Sequence, residues 1–153
     1  MEIFYGMSLP EHVKESISSV HGDLMEDLRL WGKTKEEISE DIEESCLNGL
    51  MYIVHQDNIS LVFIDKTPYT IGMYILPGEG YKPSKLTRIL METITMFRVK
   101  TDVHKLEIQT TCPDIWKILD KAGFQTEGIL IDSRRLSDGF YVDEYSMGYL
   151  MDV

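Results

Sequence analysis

Between residues 70 and 110 the sequence reads as a strand, a loop, a helix and a second strand, and this order restricts the fold more than any other feature. Thr70–Leu76 is rich in β-forming residues and is interrupted at Pro77-Gly78-Glu79-Gly80. A helix is predicted from about Ser84 to Val99, followed by a strand at His104–Thr110. Two strands joined in this way pair in parallel, and the helix crosses over one face of the sheet. The helix side chains predicted to share one side are Leu86, Ile89, Leu90, Thr93 and Phe97.

The elements predicted on either side of this unit give a mixed α/β layout. An N-terminal helix begins at Pro10 and ends at Gly32, and a second helix is opened by the capping box Thr34-Lys35-Glu36-Glu37. A later helix begins at Pro113 and closes at Gly123. The full order is β-α-α-β-β-β-α-β-α-β-β, with the middle strands as a meander. The remaining strands are predicted at 2–5, 50–54, 59–64, 127–133 and 140–149, with turns at His55-Gln56-Asp57-Asn58 and Ser137-Asp138-Gly139.

Length and composition favour a single cytoplasmic domain without a metal. A chain of 153 residues that lacks an internal repeat or a linker is predicted to fold as one unit over residues 1–153. No apolar run has the length of a membrane span, and the N-terminus lacks a signal-peptide pattern. The two cysteines are far apart and outside any zinc-binding spacing. His12, His21 and His55 are scattered along the sequence without ligand-like spacing, so we expect no metal site.

The net charge of −11, from 26 acidic and 15 basic residues, disfavours nucleic acid as a partner because phosphates would be repelled. The acidic residues are concentrated in residues 36–44, which hold six carboxylates on a predicted helix. This run is either a solvated helix face or an acidic surface that attracts a basic substrate or protein partner.

Lys82, Lys85 and Arg88 recur at three-residue spacing around the predicted start of the helix that follows Gly80. The helix dipole disfavours cations at this end by about 0.3–1 kcal/mol each. A bound polyphosphate would compensate, because the unpaired N–H groups at a helix N-terminus also attract an anion. Two interpretations stay open: an anion site at Lys82–Arg88, or solvated basic residues on a helix face.

The element order, the stretch Lys82-Pro83-Ser84-Lys85-Leu86-Thr87 and the pair Gly123-Phe124 resemble the GNAT superfamily of acyl-CoA N-acyltransferases. The resemblance implies a GNAT-like α/β fold, an acyl-CoA co-substrate, most simply acetyl-CoA, and an amine acceptor, either a small molecule or a protein lysine or N-terminus. In that family the corresponding loop binds the CoA pyrophosphate, and Lys82 stands where the family has Arg or Gln. The residues implied to contact the cofactor are Leu76, Lys82, Ser84, Lys85, Leu86, Thr87, Arg88 and Cys112.

The chain departs from the family pattern at four positions, three of them among these residues. Lys85 and Thr87 occupy places that are usually glycine, where a side chain narrows the approach of the backbone to a phosphate. The glycines of the preceding loop are left to supply its flexibility. Cys112 stands at the position of an Asn, and Leu119 stands where a Tyr commonly protonates the departing CoA thiolate. Gly123-Phe124 also has a purely structural explanation, a helix cap followed by a core aromatic residue.

Direct acyl transfer to an amine needs a base for the ammonium proton and a proton donor for the thiolate. Glu107 is the candidate base, because strand alternation points it away from its apolar neighbours, where it would act through a water molecule or simply lie exposed. Tyr145 is a candidate proton donor on the last strand. Tyr81 and Tyr141 are further candidates, and all three tyrosines can equally be ordinary residues of loops and strands.

The stretch Val20–Arg29, with Gly32–Glu37 and Ser45, is similar to a divergent GNAT-like group encoded by tailed bacteriophages. That likeness implies a location in the host cytoplasm or in a virion. Two functions therefore stay open. One is an acetyl-CoA-dependent N-acyltransferase, and the other is a catalytically degenerate GNAT-fold protein that binds a protein partner as a host-takeover or virion-associated factor. A homodimer is compatible with both.

Overall fold

The computed structural model describes residues 1–21, 34–136 and 138–151, which form one mixed sheet flanked by helices. The described elements follow the predicted order, so the predicted α/β fold class is confirmed. The strands are β1 (Glu2–Phe4), β2 (Tyr52–Gln56), β3 (Ile59–Thr67), β4 (Thr70–Pro77), β5 (Lys105–Thr110), β6 (Gln125–Arg135) and β7 (Tyr141–Leu150). The helices are α1 (Glu11–Ser18), α2 (Lys35–Leu47), α3 (Pro83–Lys100) and α4 (Pro113–Lys121). In the sheet the strand order is β1-β2-β3-β4-β5-β7-β6.

The two N-terminal helices begin where their capping residues predict. Pro10 is the N-cap of α1, and the Thr34 hydroxyl accepts a hydrogen bond from the Glu37 N–H at 3.3 Å as part of a complete capping box. The first helix ends at Ser18, so its predicted continuation is wrong at residues 19–21, where Ser19 is the C-cap. Residues 22–33 lie outside the described residues, as do most of the bacteriophage-like stretch and Ser137. None of the described helices is long and apolar enough to cross a membrane.

The turn between β2 and β3 is shorter than the predicted one. Asp57 and Asn58 have φ values of 52° and 61°, the left-handed pair that a two-residue hairpin turn requires. His55 and Gln56, predicted as turn residues, belong to β2 and pair with Ser60 and Ile59. The prediction was wrong here because their polar character suggested a loop, although the tight turn needs only two residues.

The parallel pairing that the crossover helix predicts is confirmed, but it is short. Thr70–Gly72 of β4 pairs with Lys105–Glu107 of β5, and beyond these residues the ladder between the two strands ends. β4 continues to pair with β3 as far as Pro77, and β5 continues to pair with β7 as far as Thr110. The two strands therefore diverge towards their carboxyl ends.

β6 is longer than predicted and gives the sheet an exposed edge, whereas β7 has the predicted length. β6 is accessible along almost its whole length, and its register with β7 shifts between Thr126 and Gly128 and between Leu130 and Arg134. Such shifts are typical of β-bulges, which increase strand twist at sheet edges.

Apolar layers cover both faces of the sheet. One layer packs under α3 and α4, and the α3 side chains predicted to share a side are all buried there. The other layer packs under α1 and α2 and contains Ile38, Ile42 and Cys46 of α2 at four-residue spacing. The sheet thus forms the middle of a three-layer domain, and the gap between β4 and β5 lies in its centre.

Candidate functional site

The divergence of β4 and β5 opens a cleft whose wide end is bordered by two helix starts. The loop after Pro77 leads into α3 on one side, and Thr111 and Cys112 lead into α4 on the other. Both helices begin with proline at the first helical position, without a side-chain cap. Unpaired N–H groups of two helix starts therefore border the same opening, and such groups favour an anionic ligand.

The loop between β4 and α3 is fixed from two directions. The Asn58 carbonyl accepts a hydrogen bond from the Gly78 N–H at 2.8 Å, and the Asn58 amide donates to the Glu79 carbonyl at 2.7 Å. On the other side, the Ser19 hydroxyl accepts a hydrogen bond from the Glu79 N–H at 2.9 Å. A Cβ atom on Gly78 would lie 2.5 Å from the Asn58 Oδ1 atom, so this glycine allows a close approach. The expectation that it supplies flexibility was wrong, whereas Gly80 does adopt a positive φ of 76°.

Replacing Gly78 by alanine is expected to destabilise the fold by about 1–3 kcal/mol. The added methyl group would displace the Asn58 amide and break its bond to Glu79. Denaturant unfolding would measure this loss. Gly128→Ala is the control, because its Cβ atom would meet no atom within 4 Å. If Gly78→Ala has the stability of the wild-type protein, the loop does not depend on the Asn58 contact.

The basic residues at the start of α3 divide into two groups. Lys82 is the exposed N-cap residue and Lys85 is half-buried, and neither forms an ion pair with another described residue. Arg88, by contrast, is paired with Glu92 one turn later at 3.1 Å. No acidic residue lies in the first turn of α3. The positive charge that is left for a ligand is therefore that of Lys82 and Lys85, and the predicted trio is reduced to a pair.

The other predicted contacts on this side of the cleft differ in accessibility. Ser84 is exposed, and the Thr87 hydroxyl donates to the Pro83 carbonyl at 3.3 Å. Leu76 and Leu86 are fully buried in the two opposite apolar layers. Their side chains therefore lie in the core beneath the cleft and do not line it, because strand alternation turns Leu76 inward and helical periodicity turns Leu86 inward.

Tyr81 and Cys112 approach each other from the two sides of the cleft. Both pack against the apolar layer under α3 and α4. Burial raises the pKa of the Tyr81 phenol, and the neighbouring charges of Cys112 and Asp114 act in the same direction. The Cys112 N–H donates to the Thr110 hydroxyl at 3.1 Å, which fixes the turn from β5 into α4. A protonated phenol thus lies beside a thiol at the opening.

The two predicted catalytic residues lie on opposite faces of the sheet. Glu107 points away from its apolar neighbours as predicted, and its carboxylate lies 3.4 Å from the ammonium groups of both Lys66 and Lys105. Tyr145 lies on the α4 side, where its ring is 5.6 Å from that of Trp116. The structure therefore does not bring Glu107 and Tyr145 together, because the register of β5 and β7 places them on different faces.

A buried carboxylate near the end of β5 was not foreseen. Glu144 is 1% exposed and lies 3.4 Å from the Arg134 guanidinium. It precedes Tyr145, which pairs with Thr110 at the end of β5. Strand alternation could have shown that Glu144 faces away from Tyr145, but its burial depends on long-range packing that the sequence does not reveal.

No family model matches the sequence, and no curated protein matches it. Solved structures match over almost the whole chain, among them a GNAT-family acetyltransferase from Bacillus anthracis with 13% identity, a TM-score of 0.65 and coverage of 100% of this chain and 97% of that one. The chain has the GNAT fold. RimL, an α-N-acetyltransferase of ribosomal protein L7/L12 solved with coenzyme A in a disulfide with one of its cysteines, shares this fold at 16% identity, a TM-score of 0.66 and coverage of 99% of both chains.

A third GNAT-fold match is a spermidine N-acetyltransferase chimera of Vibrio cholerae SpeG and hSSAT, with 15% identity, a TM-score of 0.60 and coverage of 98% of this chain and 95% of that one.

In the present GNAT fold, Gly123 has a φ of 102° after α4, and Phe124 is 2% exposed. The Phe124 N–H donates to the Leu119 carbonyl at 3.0 Å. The structural explanation of Gly123-Phe124, a left-handed helix cap followed by a core aromatic residue, is confirmed.

Proposed function

We propose that this protein is an acyl-CoA-dependent N-acyltransferase, which uses acetyl-CoA and transfers its acyl group directly to an amine. The observation that carries the proposal is the cleft between β4 and β5, with Lys82 and Lys85 unneutralised by any described residue at its wide end. In a chain of net charge −11, two such lysines at an uncapped helix start fit a polyphosphate.

The residues of the cleft fit a CoA-type ligand in part. Lys82, Lys85 and Ser84 would hold the pyrophosphate together with the first N–H groups of α3, although Pro83 lacks one such group. The ligand would supply a thioester as the acyl donor. Tyr81 would keep a proton available for the departing thiolate, with Tyr145 as the further donor across the cleft.

Glu107 is proposed as the base that accepts the ammonium proton of the amine through a water molecule. Its carboxylate is held by Lys66 and Lys105, so this role requires a shift of at least one ammonium group when the acceptor binds. The variant Glu107→Gln distinguishes a catalytic base from a merely exposed side chain. It removes the base and keeps the size and hydrogen-bonding shape of the side chain, so only the first role predicts a loss of activity.

The proposal is tested by titrating the tag-free protein with acetyl-CoA, then following free thiol release in the presence of a panel of amines. The panel holds polyamines, amino-acid amides and peptides with a free N-terminus. We expect binding at millimolar or lower concentration and thiol release with at least one amine class. Absence of binding at millimolar acetyl-CoA would overturn the proposal, whereas binding without turnover would favour the second function below.

Replacing Tyr81 by phenylalanine is expected to lower kcat by about tenfold. This is less than the usual contribution of a general acid, because a thiolate with a thiol pKa of about 8.5 leaves readily. The raised pKa of Tyr81 keeps its phenol protonated throughout the neutral range. Loss of this proton should therefore not lower the wild-type rate at any pH below about 10, the usual pKa of tyrosine.

Steady-state kinetics of the variant would check this expectation. The matched control is Tyr141→Phe, since Tyr141 is 61% exposed. An unchanged kcat in Tyr81→Phe together with a reduced one in Tyr145→Phe would transfer the proton donor to Tyr145.

A second function, binding of a protein partner without catalysis, is supported by one observation. Leu119, at the position of the family's usual general acid, is fully buried in the core, so no polar side chain replaces the phenol at that point. The partner would meet the exposed acidic side of α2, where Glu40 and Glu44 are accessible and Glu43 is paired with Lys14 at 2.8 Å. The bacteriophage-like stretch would place such a partner in an infected cell or a virion.

Binding of a basic partner that persists in excess CoA and is lost in Glu40→Gln/Glu44→Gln would favour this function. Loss of the partner on addition of CoA alone would instead assign the interaction to the cleft.

A further inference from the structure

A group of three potential ligands lies at the β1 edge of the sheet, with β2 and β3 between it and the cleft strand β4. Glu2 comes from β1, His12 from α1 and His55 from β2, and one ligand atom of each lies within 4.8 Å of the others. The Glu2 Oε1 atom is 2.8 Å from the His12 Nε2 atom. Glu2 and His55 are direct partners in the β1 and β2 ladder, so the backbone itself sets their separation.

His55 is the preorganised member of this group. It is 6% exposed, and its Nδ1 atom lies 2.8 Å from the buried Ser60 hydroxyl. This contact engages one ring nitrogen and leaves Nε2 as the second possible ligand atom, in the manner by which a second residue orients a metal-binding histidine.

The remaining two ligands are accessible. The side chains of His12 and Glu2 are 56% and 48% exposed. The cluster therefore combines one buried imidazole, one exposed imidazole and one exposed carboxylate. A tetrahedral zinc ion with ligands at about 2.0–2.2 Å holds its ligand atoms about 3.4 Å apart, a spacing within the limits of this group.

We propose that Glu2, His12 and His55 form a divalent-metal site of the zinc type, with its remaining coordination position open to water. Three protein ligands from two histidines and one carboxylate are the set that Zn²⁺ accepts when it keeps an open position. Two imidazoles disfavour Mg²⁺ and Ca²⁺, which take oxygen ligands. The spacing of the histidines did not indicate this site. Glu2 and His12 are 10 positions apart and His12 and His55 are 43 apart, and only strand pairing and the packing of α1 bring them together.

Zinc at this position would connect three elements that meet at the end of the sheet. β1 is only three residues long, and it would be joined through the ion to α1 and to β2. Because the ligands converge only in the folded chain, the metal would stabilise the native state by mass action. The inference is independent of acyl transfer, since no cleft residue takes part.

The test is titration of the full-length, tag-free protein with ZnCl₂, followed by calorimetry and by competition with a chromophoric chelator. We expect one zinc ion per chain and a raised melting temperature. Glu2→Gln and His12→Gln are each expected to weaken zinc binding by at least about tenfold, since each removes one ligand of three. Both residues are exposed, so the variants should fold, and Glu11→Gln, an exposed acid in the first turn of α1, is the matched control.

Substitution by Co²⁺ distinguishes this site from a cysteine site elsewhere. We expect an absorption spectrum without a thiolate-to-metal charge-transfer band, because the three ligands are imidazoles and a carboxylate. Absence of zinc binding at millimolar ZnCl₂, binding that is unchanged in both ligand variants, or a thiolate band would each overturn the proposal. Equal binding of MgCl₂ would overturn the assignment to a zinc-type metal.

Discussion

Replacing Lys82 and Lys85 together by glutamate is expected to weaken acetyl-CoA binding by at least about 100-fold. Hydrogen bonds to charged groups contribute about 1.5–3 kcal/mol each, and about 1.4 kcal/mol corresponds to a factor of ten. Charge reversal removes two such contacts and adds repulsion between carboxylates and phosphates. The effect should be large because Arg88, the other cation of this turn, is already paired with Glu92. Calorimetric titration at low and moderate salt would measure it.

The matched control is Lys121→Glu, which makes the same charge change at an exposed residue in the last turn of α4. Its binding constant should remain within about twofold of the wild-type value, as screened surface charges predict. An equal loss in this control would indicate a general electrostatic effect and not a local site. Unchanged binding in the double variant would contradict the assignment of the α3 start as the pyrophosphate site.

Replacing Phe124 by alanine is expected to lower the free energy of unfolding by about 3–5 kcal/mol. The ring is 2% exposed, lies 5.3 Å from the ring of Tyr149 and belongs to the apolar layer under α3 and α4. A loss of this size is a large fraction of the stability of an ordinary domain, about 5–15 kcal/mol. Denaturant unfolding followed by circular dichroism would measure the loss.

Phe140→Ala is the control, since this phenylalanine is 73% exposed and its removal should change stability by no more than about 0.5 kcal/mol. Reduced catalysis or ligand binding in Phe124→Ala at unchanged stability would contradict the packing role. In that case Gly123-Phe124 would be a functional signature of the cleft and not a structural one.

The sequence predicted correctly those elements whose capping residues and hydrophobic periodicity agree with their burial in the fold. Pro10, Thr34 and Pro113 mark helix starts that the structure confirms, because capping chemistry acts within one turn of the chain. The turn at Asp57 and Asn58 was predicted too long, since polarity alone does not distinguish a loop from a polar strand end. The order of elements therefore followed from periodicity, while their limits depended on backbone geometry.

The site could be predicted only as far as local charge allowed. Lys82 and Lys85 were placed correctly at a helix start, whereas the pairing of Arg88 with Glu92 at helical spacing was overlooked. The support of the loop by Asn58 and Ser19 depends on contacts between residues that are 21 and 60 positions apart. Such contacts, like the meeting of Glu2, His12 and His55, follow from strand register and helix packing, which no local pattern encodes.

The short ladder between β4 and β5 also has a mechanical consequence. It divides the sheet into an antiparallel block of β1 to β4 and a second block of β5, β7 and β6, each with continuous pairing of its own. The blocks are joined across this seam by the pairing of Thr70–Gly72 with Lys105–Glu107, by the ion pair between Lys66 and Glu107, and by the apolar layer under α3 and α4. Only three residue pairs join the two blocks by backbone pairing at this seam, so the hydrogen bonds inside either block do not depend on it.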